Sequence, residues 1–213
     1  MIIIKKKAGK KMKEYVKQMG ESEIGGLLLG KIKKNGDFVV ENAILLEQEK
    51  TNASFSIDDG AMMELVKNGS AKLLSSIVGW WHSHGVLKTF WSLVDDDCFK
   101  RLVEMLNGRC FGIVMANLPD GKFSMRNRMD VIDKTGCYIS VDNIIVQFDN
   151  KGKITVDKKS IAKEIKKKVR DEPKKELKYK SFEMTDWDKK SGFNDKIKGS
   201  IDEFFEKEER KYD

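Results

Sequence analysis

Apolar positions along this chain recur with two periods, two and near 3.6, and their succession predicts strands and helices in turn. Ile2 to Lys5 is short and β-branched, which predicts a strand. From Ala8 to Met19 the apolar residues Met12, Tyr15, Val16 and Met19 fall at helical spacing, with lysines on the other face. Ile24 to Lys33 and Phe38 to Leu46 read as two strands joined at Lys34-Asn35-Gly36-Asp37, where Asn-Gly marks a hairpin turn. Phe55 to Ile57 predicts a very short strand, and Asp58 to Asn68 a helix with Met62, Leu65 and Val66 on its buried side. Leu73 to His82 reads as a strand, being rich in apolar and β-branched residues. Ser92 to Asn107 then predicts a helix that buries Phe99, Leu102, Val103 and Leu106. Cys110 to Ala116, Lys122 to Val131 and Tyr138 to Gln147 read as three more strands, the first apolar enough to be central. The sum is an α/β fold of the α+β sandwich kind, a mixed and mostly antiparallel sheet flanked by helices.

The pattern changes near Asp149-Asn150-Lys151-Gly152. Ile161, Ile165 and Val169 form one narrow helical stripe among lysines, and Glu172-Pro173 interrupts it. A last apolar cluster, Ile201, Phe204 and Phe205, sits among acids and suits a terminal helix docking on the core or on a partner. Residues 1–150 are therefore expected to form the domain, and 151–213 a lysine-rich, helical extension. A chain of 213 residues has room for one well-buried domain and such an appendage.

Composition narrows the classes. The chain is 40% hydrophobic without a run of eighteen apolar residues, so a globular protein is expected and no membrane partner. Met1 to Lys7 places apolar residues before lysines, the reverse of a secretory signal, which predicts a cytoplasmic protein. Cys98, Cys110 and Cys137 are too few and too scattered for a disulfide framework and read as thiols in a reducing compartment. The net charge of +7 is concentrated in the extension and mixed with acids, as on a solvated helix. Nucleic-acid binding through Lys163 to Lys180 is the other use such a region can have.

The candidate chemistry lies where the strand ending at His82 meets the next helix. The chain has two histidines, His82 and His84, and residues two apart on a strand share a face, so both imidazoles can reach one point. Neutral imidazole is a preferred zinc ligand, and a catalytic zinc commonly takes three protein ligands. The third can come from Ser92-Leu93-Val94-Asp95-Asp96-Asp97, which begins the following helix. Ser92 with Asp95 three residues on is also a capping arrangement, which would explain those two residues without a metal. Capping does not explain two polar histidines ending a strand as apolar as Ile77-Val78-Gly79-Trp80-Trp81.

His82-Ser83-His84, seven residues, and then Ser92-Leu93-Val94-Asp95 resembles the signature of the JAMM (MPN-plus) metalloprotease family, His-x-His-x7-Ser-x2-Asp. Glu23-Ile24-Gly25-Gly26-Leu27 resembles the glutamate-bearing strand that precedes it in that family, and the resemblance covers about residues 1–135. It implies zinc held by His82, His84 and Asp95, with Glu23 as general acid/base and Ser92 as hydrogen-bond donor to the oxyanion. Glu21, Asp96 and Asp97 are then surface acids. The implied substrate is the C-terminal tail of a ubiquitin-like or small sulfur-carrier protein. Other family roles are a phage or bacterial peptidase acting on a cell-wall peptide or tail component, and a non-catalytic scaffold. One departure stands out: Gly85 occupies the place after the second histidine where the family usually has proline. Phe90 and Trp91, between the ligands, read as core packing or as walls of a substrate groove.

Overall fold

The computed structural model describes residues 1–50, 55–57, 59–149 and 151–171, without the side chains of 55–57, 59 and 62. Its elements run β1 (Ile2–Lys5), α1 (Lys6–Met19), β2 (Gly25–Ile32), β3 (Phe38–Leu45), β4 (Gln48–Lys50), β5 (Phe55–Ile57), α2 (Asp59–Asn68), α3 (Ala71–Ser75) and β6 (Ile77–Ser83). They continue with α4 (Leu93–Met105), β7 (Arg109–Asn117), β8 (Phe123–Ile132), β9 (Tyr138–Asp142), β10 (Val146–Asp149), α5 (Lys158–Lys168) and β11 (Val169–Asp171). Eight strands form one mixed sheet in the order β10-β1-β3-β2-β6-β7-β8-β9, and β11-β4-β5 form a small second one. Four of the seven pairings in the large sheet are antiparallel; β1 with β10, β1 with β3, and β6 with β7 are parallel.

The large sheet is covered on both faces, which is why its central strands are apolar throughout. On one face α1 buries Ala8, Met12, Tyr15 and Val16 against Ile4, Val40, Trp81 and Ile113. On the other, α4 buries Phe99, Leu102 and Val103 against Leu27, Trp80 and Cys110, and Leu65 and Val66 of α2 pack on this cluster. Residues Lys33 to Asp37 close the β2–β3 hairpin: Gly36 N donates to Lys33 O at 2.8 Å, and Gly36 has φ +81°, the left-handed residue that follows a tight turn.

Two predicted strands need correction. Leu73 to Ser75 belong to α3, because Ser70 caps that turn by accepting from Leu73 N, and the strand begins only at Ile77. Tyr138 to Gln147 is not one strand. Asn143 takes a left-handed φ of 53°, the chain leaves β8 there, and β10 pairs with β1 at the opposite edge of the sheet.

The segment set apart by its lysines packs on the same core where it is described. Ile161 of α5 is buried in the cluster of Met12, Tyr15 and Val16. The buried Tyr15 hydroxyl donates to Glu164 at 2.5 Å, and Lys168 Nζ donates to Leu45 O at 2.7 Å. Ile201, Phe204 and Phe205 lie outside the described residues, as do the residues beyond 171 in the Lys163–Lys180 region. Among the described residues no helix is long and apolar enough to cross a membrane.

Candidate metal centre

β6, α4 and β7 form a strand–helix–parallel strand unit, so the N-terminus of α4 starts near the carboxyl end of β6. That junction carries the histidines. Strand alternation sends Trp81 to the α1 face, where it stacks on Tyr15 with centroids 5.5 Å apart. It sends Trp80 and His82 to the α4 face, where their rings stack at 4.5 Å. Ser83, between the histidines and fully buried, accepts a hydrogen bond from Ile24 N at 3.1 Å and so ties β6 to the start of β2.

Asp95, in the first turn of α4, faces the same point. His82 Nε2 lies 3.1 Å from His84 Nε2 and 3.3 Å from Asp95 Oδ1, and His84 Nε2 lies 3.9 Å from Asp95 Oδ2. Four ligands about 2.0–2.1 Å from a tetrahedral zinc are separated from one another by about 3.3 Å, so the two imidazole nitrogens and the Asp95 carboxylate already stand near the spacing of such a site. A proton shared by the two imidazoles would account for the first distance alone. A carboxylate beside both of them points three lone pairs at one spot, which suits a cation. His84 Nδ1 lies 3.3 Å from the Lys88 carbonyl, to which it donates, while Nε2 is turned inward toward His82.

The electrostatics agree. The three groups are 1, 5 and 6% exposed, so charge on any of them is poorly solvated. Burial, then His84, pushes the His82 pKa well down and keeps that ring neutral, as a ligand must be. Burial raises Asp95 against the hydrogen bonds from Ser92 that lower it. A divalent cation would compensate these desolvated groups together.

Glu23 lies two residues before the β2–β6 ladder begins at Gly25. Gly25 pairs with His82 and Ser83 N donates to Ile24 O at 2.8 Å, which brings the segment carrying Glu23 alongside the end of β6. It is 8% exposed, and burial followed by the charge of Asp95 pushes its pKa up to about 7. A carboxyl poised there can accept and release a proton near neutral pH. Glu21 is exposed, in keeping with its expected place at the surface.

Ser92 is the N-cap of α4. Its hydroxyl donates to Asp95 Oδ2 at 2.8 Å and accepts from Asp95 N at 3.2 Å, while Ser92 N donates to Asp95 Oδ2 at 2.7 Å. Capping and ligand placement are therefore one arrangement, since the cap fixes the carboxylate that faces the histidines. Asp97 pairs at the surface with Lys100, whereas Asp96 bonds Arg128 and is half-buried. Gly26 owes its identity to its own sheet: a Cβ there would stand 3.0 Å from the Ile44 carbonyl carbon of β3.

A layer around the candidate ligands joins Phe90 and Trp91, which the sequence had offered for core packing or a groove wall, to residues it had not marked. Trp91 lies 5.8 Å from the His82 ring and edge-on to Phe99, Phe90 lies edge-on to His84, and Trp91 Nε1 donates to Asp142 at 3.1 Å. Asp142 and Arg128 come from strands late in the chain, and no local spacing marks them.

With this geometry in place, comparison gives three results. Residues 1–108, which include Glu23, His82, His84, Ser92 and Asp95, match the family described as JAB1/Mov34/MPN/PAD-1 ubiquitin protease. The solution structure of protein DSY2949 from Desulfitobacterium hafniense is similar at 23% identity and a TM-score of 0.48, over 71% of this chain and 96% of that one. No curated protein matches the chain.

Proposed function

The chain belongs to the JAB1/Mov34/MPN/PAD-1 ubiquitin protease family, and from that premise we propose a zinc-dependent peptidase that cleaves a peptide or isopeptide bond at the C-terminal tail of a ubiquitin-like or small sulfur-carrier protein. The observation that carries the hydrolytic reading is the convergence of His82, His84 and Asp95 near the spacing of a tetrahedral site, with a buried Glu23 close enough to feel the charge of Asp95. The substrate class follows from the family.

His82, His84 and Asp95 would hold the metal, two neutral nitrogens and one carboxylate, a set suited to zinc. When bound, zinc supplies Lewis acidity, polarising the scissile carbonyl and making water a usable nucleophile near neutral pH. Glu23 takes the proton from the attacking water and delivers it to the departing amine. The Ser92 hydroxyl, held beside Asp95, turns to donate to the oxyanion as the carbonyl becomes tetrahedral. An extended substrate tail, adding to an exposed strand edge, would present its carbonyl to this point.

The test uses the purified chain with a ubiquitin fusion and a sulfur-carrier fusion, each with and without a strong chelator. About one zinc per chain and chelator-sensitive cleavage at the tail are expected, with both lost in His82→Ala/His84→Ala. A double variant that kept its full metal content would sink the ligand assignment. Zinc binding without cleavage of either fusion would leave the site and remove the substrate.

A further inference from the structure

The ligands come from two elements, β6 and α4, joined by the loop through Gly85 and Trp91, so their mutual distance depends on what fixes the start of α4. Two tethers reach it from the β8–β9 hairpin, at the edge of the sheet. Trp91 Nε1 donates to Asp142 Oδ1 at 3.1 Å, and Asp142 is itself held by Arg126, whose Nε donates to it at 2.8 Å. Arg128, paired across the hairpin with Asp142, donates to Asp96 and, through Nε and Nη2, to Asp130 at 2.8 and 2.6 Å. Its guanidinium lies 4.1 Å from the Phe99 ring centroid and 5.6 Å from that of Trp91. Trp91 precedes the N-cap Ser92, and Asp96 follows Asp95, so the tethers bracket the ligand on both sides.

We propose that Trp91, Asp142 and Arg126, with Arg128 on Asp96, are positioning residues that hold the first turn of α4 against β6 and thereby set Asp95 at its distance from His82 and His84. The Asp142 and Arg126 side chains are about a third exposed. An ion pair so open to water adds little to fold stability, whereas it aims the carboxylate that accepts from the indole N–H. The same indole lies beside the His82 ring, tilted with centroids 5.8 Å apart, so the clamp borders both halves of the ligand set. Outer partners of this kind orient ligands without touching the metal.

This inference rests on the metal reading above, and the experiment separates the two. Metal-free full-length protein is titrated with Zn²⁺ against a chromophoric chelator, and with Co²⁺ while its visible absorption is recorded. Trp91→Phe and Asp142→Asn are each expected to weaken Zn²⁺ binding about tenfold and to change the Co²⁺ band. The double variant should be little worse than either single one, because both lose the same bond. Ile139→Ser, on an exposed position of the same hairpin, should change neither reading and reports on general loosening. Unchanged affinity and an unchanged Co²⁺ spectrum in both single variants overturn the clamp. So does an equal loss in Ile139→Ser. If the parent protein takes up neither metal, the metal reading fails and the clamp with it.

Discussion

Replacing Gly85 by the proline usual at this place in the family should damage this chain. Substitutions toward a family consensus commonly add about 0.5–2 kcal/mol of stability, so the expectation carries the opposite sign. Gly85 has φ +54°, and proline is locked near −65°. Reaching it would turn the backbone by about 120°, directly after ligand His84. The turn is held where it is: Leu87 N donates to His84 O and Asn117 N donates to Gly85 O, both at 2.9 Å. Any Cβ at Gly85 would stand 2.7 Å from the Glu21 carbonyl carbon and nearer still to its oxygen. The segment that must then retreat leads straight to Glu23. Gly85→Ala should cost about 1–2 kcal/mol for the left-handed conformation alone, and Gly85→Pro roughly 3–4 kcal/mol, since it also breaks the turn. For a chain of this size the proline variant should melt about 6–16 °C lower. Thermal unfolding followed by circular dichroism, with a parallel Zn²⁺ titration, checks both consequences. A Gly85→Pro protein that melts at or above the parent temperature and binds zinc equally well would refute the reasoning.

Glu23→Gln should keep zinc while lowering the rate about 10²–10⁴-fold; full activity would place the base elsewhere. Because the folded carboxyl titrates near 7, above its unfolded value, the native state holds the extra proton, and metal-free stability falls as pH rises from about 4.5 to about 7. Gln should remove that loss, a gain of about 1–2 kcal/mol at pH 8 after solvent screening, read by urea unfolding at pH 5 and pH 8. Asp95→Asn keeps a side chain able to cap α4, so it should lose zinc by elemental analysis with the metal-free melting temperature held or raised. A large fall in that temperature would show that the carboxylate serves the fold. Ending the chain at residue 157 strips Ile161 from the core and the acceptor from the buried Tyr15 hydroxyl, roughly 3–5 kcal/mol by urea unfolding. A chain ending at residue 171 keeps both contacts and should not show this loss.

Local pattern was enough wherever a residue's fate depends on its neighbours in sequence. The stripe of Met12, Tyr15 and Val16 put α1 on the core, and the alternation through Trp81, His82 and His84 put both imidazoles on one face. The Ser92–Asp95 spacing suited capping and metal binding at once, and in the structure the cap holds the carboxylate that faces the histidines. Leu73-Leu74 failed as a strand since two leucines fit either period, and the informative residue was the cap Ser70 before them. The break at Asn143 was marked by a residue tolerant of left-handed geometry, but nothing local could say that β10 would cross to β1. Pairings of three residues, such as β4 with β11, are too short to leave a period at all.

Gly85 shows why a motif and its geometry must be weighed separately. The four motif residues could be matched by position because each acts through a side chain whose direction is set by strand alternation or by a helix cap. Proline in the family's loop acts through its backbone, and backbone conformation depends on what lies opposite. Here the Glu21 carbonyl lies opposite, bringing the segment that carries Glu23 ahead of β2 close against the turn after His84. A left-handed glycine lets that approach happen without a Cβ in the way. The loss of proline is thus coupled to the placement of the proposed proton carrier, and the looseness that glycine alone would bring is offset by the hydrogen bonds from Leu87 N and Asn117 N. The position that departs from the family belongs to the same construction as the positions that keep to it.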